Sequence, residues 1–233
     1  ELYFDNIPSE LINTKVSVKE SGRYISCDPK VAYYSTKLQT ERLETLRFAK
    51  ELRNELNRPL AICDPFCGVG PALSTLIAEE GLAGNILASD LNSSAVELLF
   101  ENLKRWDKRE YPTKSEKLQQ YYDDRIVGLA DATKLSQNPQ YSGKWDMVLV
   151  NLPHRTIEFL PALIPLLNRS NVSLIRGRVI VAESDIPSAN KKINEILPPT
   201  VASKPKPELK IKRDYSGALR LCSFEAWIEK DIT

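Results

Sequence analysis

The feature that most limits how this chain can fold is an alternation of short apolar runs and amphipathic segments between residues 59 and 197. The runs are rich in Val, Ile, Leu and Ala and have the length of buried strands. Predicted strands lie at 59–63, 85–89, 125–130, 146–150 and 177–183, and predicted helices lie at about 71–80, 93–106, 156–168 and 187–197. Strands that alternate with helices in this way form a doubly wound, mostly parallel sheet. The sequence therefore predicts an α/β fold.

The segments on either side of this alternation add a helix and a hairpin. We predict a long helix at 38–56, because Leu46, Ala49 and Leu52 fall on one face, and Pro59 stops it. Alternating side chains at 209–215 and 219–228 predict an antiparallel C-terminal hairpin.

The N-terminal part is predicted to be extended, with strands at 16–18, 23–27 and 30–35. We expect residues 1–36 to form a short β extension and residues 37–233 to form the main domain. The charged stretch 104–125 interrupts the alternation, and we expect it to be a solvated insertion.

Composition disfavours a membrane protein and a metal site. No run approaches the roughly 20 apolar residues of a membrane span, and the first residues lack the apolar core of a signal peptide. We therefore expect no membrane partner and a cytoplasmic location. The four cysteines form no Cys-x-x-Cys pair and the chain has a single histidine, so we expect no metal.

The loop after the strand at 59–63 has the features of a site for a nucleotide-like ligand. The strand leads into Asp64, and Gly68 and Gly70 permit a tight turn and a close approach of the backbone to a ligand. Pro71 removes an N–H donor from the start of the next helix, and no third glycine follows, which disfavours a pyrophosphate. An acid at this place favours S-adenosylmethionine, whose ammonium and sulfonium groups are cationic. The alternative is a strand–turn–helix joint whose glycines serve packing.

Acidic residues also end the next two predicted strands. Asp90 follows the glycine loop by about 20 residues, where an acceptor for ribose hydroxyls belongs. Asp131 closes the strand at 125–130, where it could receive an adenine amino group. Ligands of open α/β sheets lie at the carboxyl ends of the strands, so we predict that both acids and their neighbours Leu91 and Ala132 bind the cofactor. Each acid alone could instead cap a helix.

The strand at 146–150 runs into Asn151-Leu152-Pro153-His154. The amide of Asn151 can bond a flat base along an edge that both donates and accepts hydrogen bonds, and Pro153 makes the turn rigid. Methyl transfer is an in-line displacement, so positioning supplies much of its rate. We predict that Asn151 and Pro153 are catalytic and that Asn151 also contacts the cofactor. Histidine side chains often serve in proton transfer, but a capping or packing role suits His154 equally well.

These motifs resemble those of the archaeal and eukaryotic tRNA (guanine-37 N1) methyltransferases and their wyosine-pathway relatives, over roughly residues 22–227. The resemblance rests on Asp64-Pro65-Phe66-Cys67-Gly68-Val69-Gly70-Pro71, Asp90-Leu91-Asn92, Asn151-Leu152-Pro153 and the Glu41-Arg42 pair that follows Ser35-Thr36-Lys37-Leu38. It implies a Rossmann-like class I methyltransferase fold, S-adenosylmethionine as the cofactor and tRNA as the partner, with N1 of guanosine 37 as the methylated atom.

The resemblance also assigns roles to individual residues. Glu41 matches the family's proposed general base, and a carboxylate could take the proton that must leave N1 of neutral guanine. Arg42 would bind the cofactor or hold that carboxylate, and Phe66 would contact the cofactor. A solvated first helical turn is the alternative for Glu41 and Arg42. The family's N-terminal tRNA-binding domain has no counterpart here, so we expect a separate RNA-binding domain or subunit.

Other functions are compatible with the same motifs. A wyosine-pathway relative would transfer an aminocarboxypropyl group or methylate a tricyclic base, and an N2-guanine methyltransferase shares part of the glycine loop. A non-catalytic RNA-binding module is the alternative from another class, although such a module would need no ribose ligand.

A basic stretch precedes the predicted hairpin, while the formal net charge of the whole chain is only +1. Charge clustered on one face matters more than the total for binding RNA. The predicted phosphate contacts are Lys204, Lys206, Lys210 and Lys212. The alternative for this stretch is a solvated loop.

Overall fold

An eight-stranded sheet carries the core of the chain, whose computed structural model describes residues 14–231. The strands are β1 Val16–Glu20, β2 Arg23–Cys27, β3 Leu60–Asp64, β4 Ala83–Asp90, β5 Gln119–Tyr122, β6 Arg125–Leu129, β7 Met147–Val150, β8 Ser173–Ala182, β9 Lys210–Ser216 and β10 Leu219–Ile228. The α-helices are α1 Gln39–Leu56, α2 Pro71–Ala78, α3 Ser93–Asp107, α4 Thr156–Leu163 and α5 Ile186–Ile196. The sheet order is β5-β6-β4-β3-β7-β8-β10-β9, and β1 pairs with β2 in a separate hairpin.

Five adjacent strands of the sheet, β6-β4-β3-β7-β8, run parallel to one another. Strands β5, β10 and β9 add antiparallel pairings at the two edges. Helices α1, α2 and α3 bury apolar side chains in one core cluster, and α4 and α5 bury theirs in a second. Helices on both faces of a mostly parallel sheet confirm the predicted doubly wound fold with its C-terminal hairpin.

Two local predictions are wrong. Residues 30–35 do not form a strand, because the backbone N–H groups of Val31 and Ala32 both bond the carbonyl of Asp28 and turn the chain there. The stretch 104–125 is not wholly a solvated insertion, because it contains β5. There the rings of Tyr111 and Tyr121 pack around Phe100 of α3 and cover that edge of the core.

The buried side chain of Asn102 of α3 makes two hydrogen bonds to the backbone of the β1–β2 hairpin. The Asn102 Oδ1 accepts from the Ser26 N–H at 2.7 Å, and its Nδ2 donates to the Ser26 carbonyl at 2.9 Å. Ile25 lies in the same apolar cluster as the helices α1–α3. A domain boundary at residue 36 stays a prediction, and residues 1–13 of that extension lie outside the described part of the chain.

An ion pair between the exposed Arg58 and the buried Asp146 brings β3 and β7 into alignment. The Arg58 guanidinium donates to both oxygens of Asp146 at 2.6 and 2.7 Å, and the Ala61 N–H donates to the same carboxylate at 2.8 Å. Asp146 is fully buried, so it needs these partners to offset the loss of water. The pair fixes the two strands side by side, and their carboxyl ends meet at one edge.

Within residues 14–231, no helix has the length and apolar character needed to cross a membrane.

Candidate active site

A cavity of about 880 Å³ opens at the carboxyl ends of β3, β4, β6 and β7. Its lining includes Asp64, Asp90, Asp131 and Asn151, each at the end of one of these strands or shortly after it. The four residues were expected to converge because parallel strands end at the same edge of the sheet. The volume lies at the upper end of the roughly 300–1,000 Å³ range of ligand sites, so there is room for a cofactor and a base.

Asp64 is a carboxyl group buried at the floor of this cavity. Burial raises its pKa to about 7, with the charge of Asp90 as a smaller contribution, while the Phe66 N–H and the Arg178 charge act in the opposite direction. Its Oδ1 has no hydrogen-bond partner among the described residues. An unpaired buried acceptor is costly, and a cationic donor would satisfy it. The ammonium group of an amino acid moiety, such as that of S-adenosylmethionine, fits this demand.

The glycine loop between β3 and α2 is held by Asp90. The Gly68 N–H donates to the Asp90 Oδ2 at 2.8 Å, and the Asn92 N–H donates to the Oδ1 at 2.9 Å. Gly68 and Gly70 adopt φ angles of 54° and 84°, in the left-handed region that favours glycine. Asp90 thus shapes the loop as well as facing the cavity, a structural role that the sequence did not indicate. Each oxygen keeps a lone pair for a ribose hydroxyl.

The end of the cavity beyond β4 and β6 combines apolar surface with an acid. Leu91 lines it and is 73% exposed, and Ala132 lines it beside Asp131. The Asp131 carboxylate accepts from the Thr133 N–H and hydroxyl, and the hydroxyl bond holds its pKa below the usual range. Phe66 also lines the cavity and stacks on Phe159 at 6.0 Å between ring centroids. This end suits a flat, uncharged ring with an amino group.

The opposite end lies over β7 and β8 and includes Asn151, Pro153 and two arginines, of which Arg178 was not identified from the sequence. The Arg178 Nη1 donates to the Asn151 Oδ1 at 2.8 Å, and Arg213 of β9 has a buried Nε without a partner among the described residues. The sequence signal for Arg178 was a charged residue within an otherwise apolar strand. His154 lies at the rim, where its Nε2 is 3.3 Å from the Tyr215 hydroxyl.

Glu41 and Arg42 occupy different environments although they are adjacent. Arg42 lines the cavity, and its guanidinium is paired with both carboxylate oxygens of Glu20 of β1. Glu41 is buried but does not line the cavity, and its carboxylate lies 3.3 Å from the Arg176 Nη2 and 3.6 Å from the Lys212 Nζ. The structure therefore separates Glu41 from the predicted site residues that line the cavity.

Three of the four lysines predicted to contact RNA form ion pairs within the protein. Lys204 bonds the carboxylates of Glu51 and Glu55, Lys210 bonds Glu225, and Lys212 bonds Glu44. Lys204 and Lys212 are each only 19% exposed in their side chains. These pairs neutralise much of the basic stretch, while Lys206 is exposed. Contact of the four lysines with RNA stays a prediction.

A doubly wound sheet with a glycine loop and acids at the carboxyl ends of β3, β4 and β6 defines the Rossmann-like class of methyltransferase folds. Residues 16–175, more than half of the chain, match the family described as the TRM5/TYW2 methyltransferase domain. The chain belongs to this family, which confirms the resemblance inferred from its motifs.

Two curated relatives are each named a tRNA (guanine(37)-N(1))-methyltransferase. The protein of Paramecium tetraurelia is 28% identical over 61% of this chain, and Trm5b of Pyrococcus abyssi is 27% identical over 68%. The matched segments span 31% and 39% of these two relatives, so the chain covers less than half the length of either.

Solved structures share the fold at lower identity. The tRNA m1G37 methyltransferase of M. jannaschii superposes with a TM-score of 0.68 at 23% identity, over 94% of this chain and 58% of that one. TYW2 of M. jannaschii in complex with AdoMet gives a TM-score of 0.67 at 20% identity, over 94% of this chain and 87% of that one.

Proposed function

We propose that this chain is an S-adenosylmethionine-dependent methyltransferase that acts on a purine base of tRNA, with N1 of guanosine 37 as the target. The observation that carries the proposal is one cavity with two unlike ends. One end has the unpaired Asp64 oxygen and the Asp90 carboxylate, and the other has the Asn151 amide. The names of the curated relatives support the choice of substrate. A cytoplasmic location remains our expectation.

The acidic end would hold the cofactor. Asp64 would bond the ammonium group, Asp90 the ribose hydroxyls, and Asp131 the adenine amino group, with Leu91 and Ala132 against the ring. The cofactor supplies a methyl group on a positively charged sulfur. The residues of the chain fix its orientation and, through Phe66 and the apolar lining, exclude water from the neighbourhood of the transferred carbon.

The other end would hold the base. Asn151 and the turn at Pro153 would place the ring edge beside the cofactor, and the rim formed by His154, Arg213 and Tyr215 would contact the adjoining nucleotides. The unpartnered Arg213 Nε is a donor that a phosphate oxygen would satisfy. We therefore propose this rim as an RNA contact, together with the exposed Lys206.

The proton of N1 must leave as the methyl group arrives, and Glu41 remains our proposed base. Two cationic neighbours, Arg176 and Lys212, hold its carboxylate in an ion cluster outside the cavity. Proton transfer therefore requires Glu41 to reach the base by a rearrangement of this ion cluster. His154, which lines the cavity already, is the competing base.

Glu41→Gln tests this role, and Glu44→Gln is its matched control because Glu44 lies one turn away and pairs with the same cations. If Glu41 is the base, Glu41→Gln lowers the single-turnover methylation rate by about 10²–10⁴ and Glu44→Gln does not. Equal losses of rate in both variants would show that Glu41 only stabilises the ion cluster that it forms with Arg176 and Lys212. An unchanged rate in Glu41→Gln would leave His154→Gln as the next variant to measure.

The function itself is tested with an unmodified tRNA transcript and labelled S-adenosylmethionine, followed by mass spectrometry of nucleosides and of the spent cofactor. We expect 1-methylguanosine and S-adenosylhomocysteine. Methylthioadenosine would indicate aminocarboxypropyl transfer, and N2-methylguanosine would indicate the other guanine chemistry. Binding of the transcript without any product would favour the non-catalytic module.

Asn151→Ala gives this assay an internal check. We expect it to lower the chemical rate more than the cofactor affinity, because Asn151 lies at the end assigned to the base. Asn138→Ala removes the same amide from a surface turn and should change neither quantity. Equal losses of rate and cofactor affinity in Asn151→Ala would show that Asn151 serves the cofactor.

A further inference from the structure

Arg178 is a buried cation at the end of the cavity assigned to the base. It lies on β8, opposite Ser223 of β10, and follows Gly177, which is opposite Val150 of β7. Its residue surface is only 8% exposed, yet it lines the cavity. A buried arginine of this kind normally pairs with a carboxylate, so its actual partner is informative.

The hydrogen-bond partner of Arg178 among the described residues is the neutral Asn151 amide, at 2.8 Å from Nη1. Three carboxylates of the adjoining ion cluster, those of Glu41, Glu44 and Glu225, are bonded by Arg176 of the same strand. Burial lowers the pKa of Arg178 to about 10, so the guanidinium remains charged at neutral pH. Arg178 therefore holds Asn151 with a full positive charge.

This bond fixes which end of the amide faces the ligand. A guanidinium has five N–H donors and no acceptor, so the Asn151 atom that it contacts must be the oxygen. A flipped amide would place its N–H₂ group against the guanidinium and leave both groups unsatisfied. The Nδ2 is consequently directed away from Arg178, and the side chain approaches other partners as a donor.

We propose that Arg178 is a positioning residue that fixes Asn151 as a hydrogen-bond donor, so that the site selects a base with an acceptor such as the exocyclic oxygen of guanine. This inference rests on the proposed function, which it deepens. The amino group of adenine at the same place would set two donors against each other. Sites that hydrogen-bond their substrate reject analogues that lack the matching group strongly, because the buried polar group is then left unpaired.

The test uses anticodon stem-loop RNA with guanosine, 6-thioguanosine or inosine at the target position, and measures single-turnover methylation. Sulfur accepts hydrogen bonds weakly, whereas inosine keeps the oxygen and lacks only the 2-amino group. The wild-type chain should methylate guanosine at least about tenfold faster than 6-thioguanosine and should accept inosine. Rejection of inosine together with tolerance of the sulfur would overturn the proposal, since Asn151 would then be accepting from the 2-amino group.

Three variants separate positioning from folding. Arg178→Met releases the amide and should bring the guanosine to 6-thioguanosine ratio close to one, while Arg178→Lys, which can still donate to the Asn151 Oδ1, should restore much of the preference. Asn151→Asp keeps the bond to Arg178 but has no donor, and it should lose the preference as well. A wild-type ratio in Arg178→Met, or a Lys variant no better than the Met variant, would refute the proposal.

The same experiment keeps the two proposals distinct. A wild-type chain that methylates none of the three RNAs refutes the proposed function, and with it the selection of a base. An active wild-type chain whose variants keep the wild-type ratio refutes only the role of Arg178.

Discussion

Replacing Asp64 with Asn should remove a pH-dependent loss of stability from the free protein. Burial raises the pKa of this carboxyl from an ordinary value of 3.8 to about 7. A carboxyl whose pKa is higher in the folded state favours folding only while it is protonated. Its favourable contribution is therefore complete below pH ~4, is lost as the pH rises towards 7, and is constant above that.

The magnitude follows from the pKa difference of about three units. At roughly 1.36 kcal/mol per unit, ionised Asp64 costs the folded state about 4 kcal/mol well above pH 7. Between pH 5 and pH 8 the loss attributable to this group is about 2–3 kcal/mol. Asn has its own cost of roughly 1–3 kcal/mol, because its N–H₂ group is left without a partner in the buried pocket. That cost does not vary with pH, so it cancels in the comparison.

The assay is urea unfolding of the wild-type chain and of Asp64→Asn at pH 5 and pH 8, followed by circular dichroism. The wild-type free energy of unfolding should fall more than that of the variant, by about 2–3 kcal/mol over this interval. The same pH dependence in both proteins would show that ionisation of Asp64 costs the folded state little free energy. The unpaired oxygen would then give no reason to expect a cationic ligand.

Cofactor binding should have the opposite pH dependence. S-adenosylhomocysteine keeps the ammonium group, and its binding selects the ionised form of Asp64. Calorimetry should therefore show an affinity that weakens below pH 7 by up to about tenfold per unit in the wild-type chain. Asp64→Asn should bind weakly at every pH, and retention of wild-type affinity would contradict the assignment.

Three further changes test the glycine loop, the ribose site and the basic stretch. Gly70→Ala should destabilise the chain by about 1–3 kcal/mol, because a Cβ there lies 2.7 Å from a Leu99 methyl at a φ of +84°. Gly81→Ala has a similar φ in open space, so equal urea midpoints for the two would remove the steric argument. Asp90→Ala should weaken S-adenosylhomocysteine binding at least tenfold by calorimetry, and an unchanged affinity would eliminate the ribose assignment. Lys206→Gln should reduce the salt dependence of RNA binding without altering stability. Neutralising all four lysines of the basic stretch should also lower the melting temperature; these are Lys204, Lys206, Lys210 and Lys212. A wild-type melting temperature in that quadruple variant would show that the three ion pairs contribute little.

Some of this protein follows from its sequence alone. The period of the apolar residues predicts β3, β4, β6, β7 and β8 and the helices between them, because burial on both faces of a parallel sheet demands continuous apolar runs. The same reasoning brings Asp64, Asp90, Asp131 and Asn151 together, since parallel strands end at one edge. The family motifs add the identity of the ligand.

Only the tertiary structure decided the features that depend on contacts between residues distant in the sequence. Whether Glu41 faces the cavity or an ion cluster depends on Arg176 and Lys212, which are more than a hundred residues away in the chain. The ion pairs of Lys204, Lys210 and Lys212 could not be predicted for the same reason, because these lysines meet their carboxylate partners only after the sheet has formed. The proposed role of Arg178 on β8 depends on its hydrogen bond to Asn151, which follows the neighbouring strand β7. Local periodicity reports which residues are buried, whereas the partners of buried charges are set by the packing of distant elements.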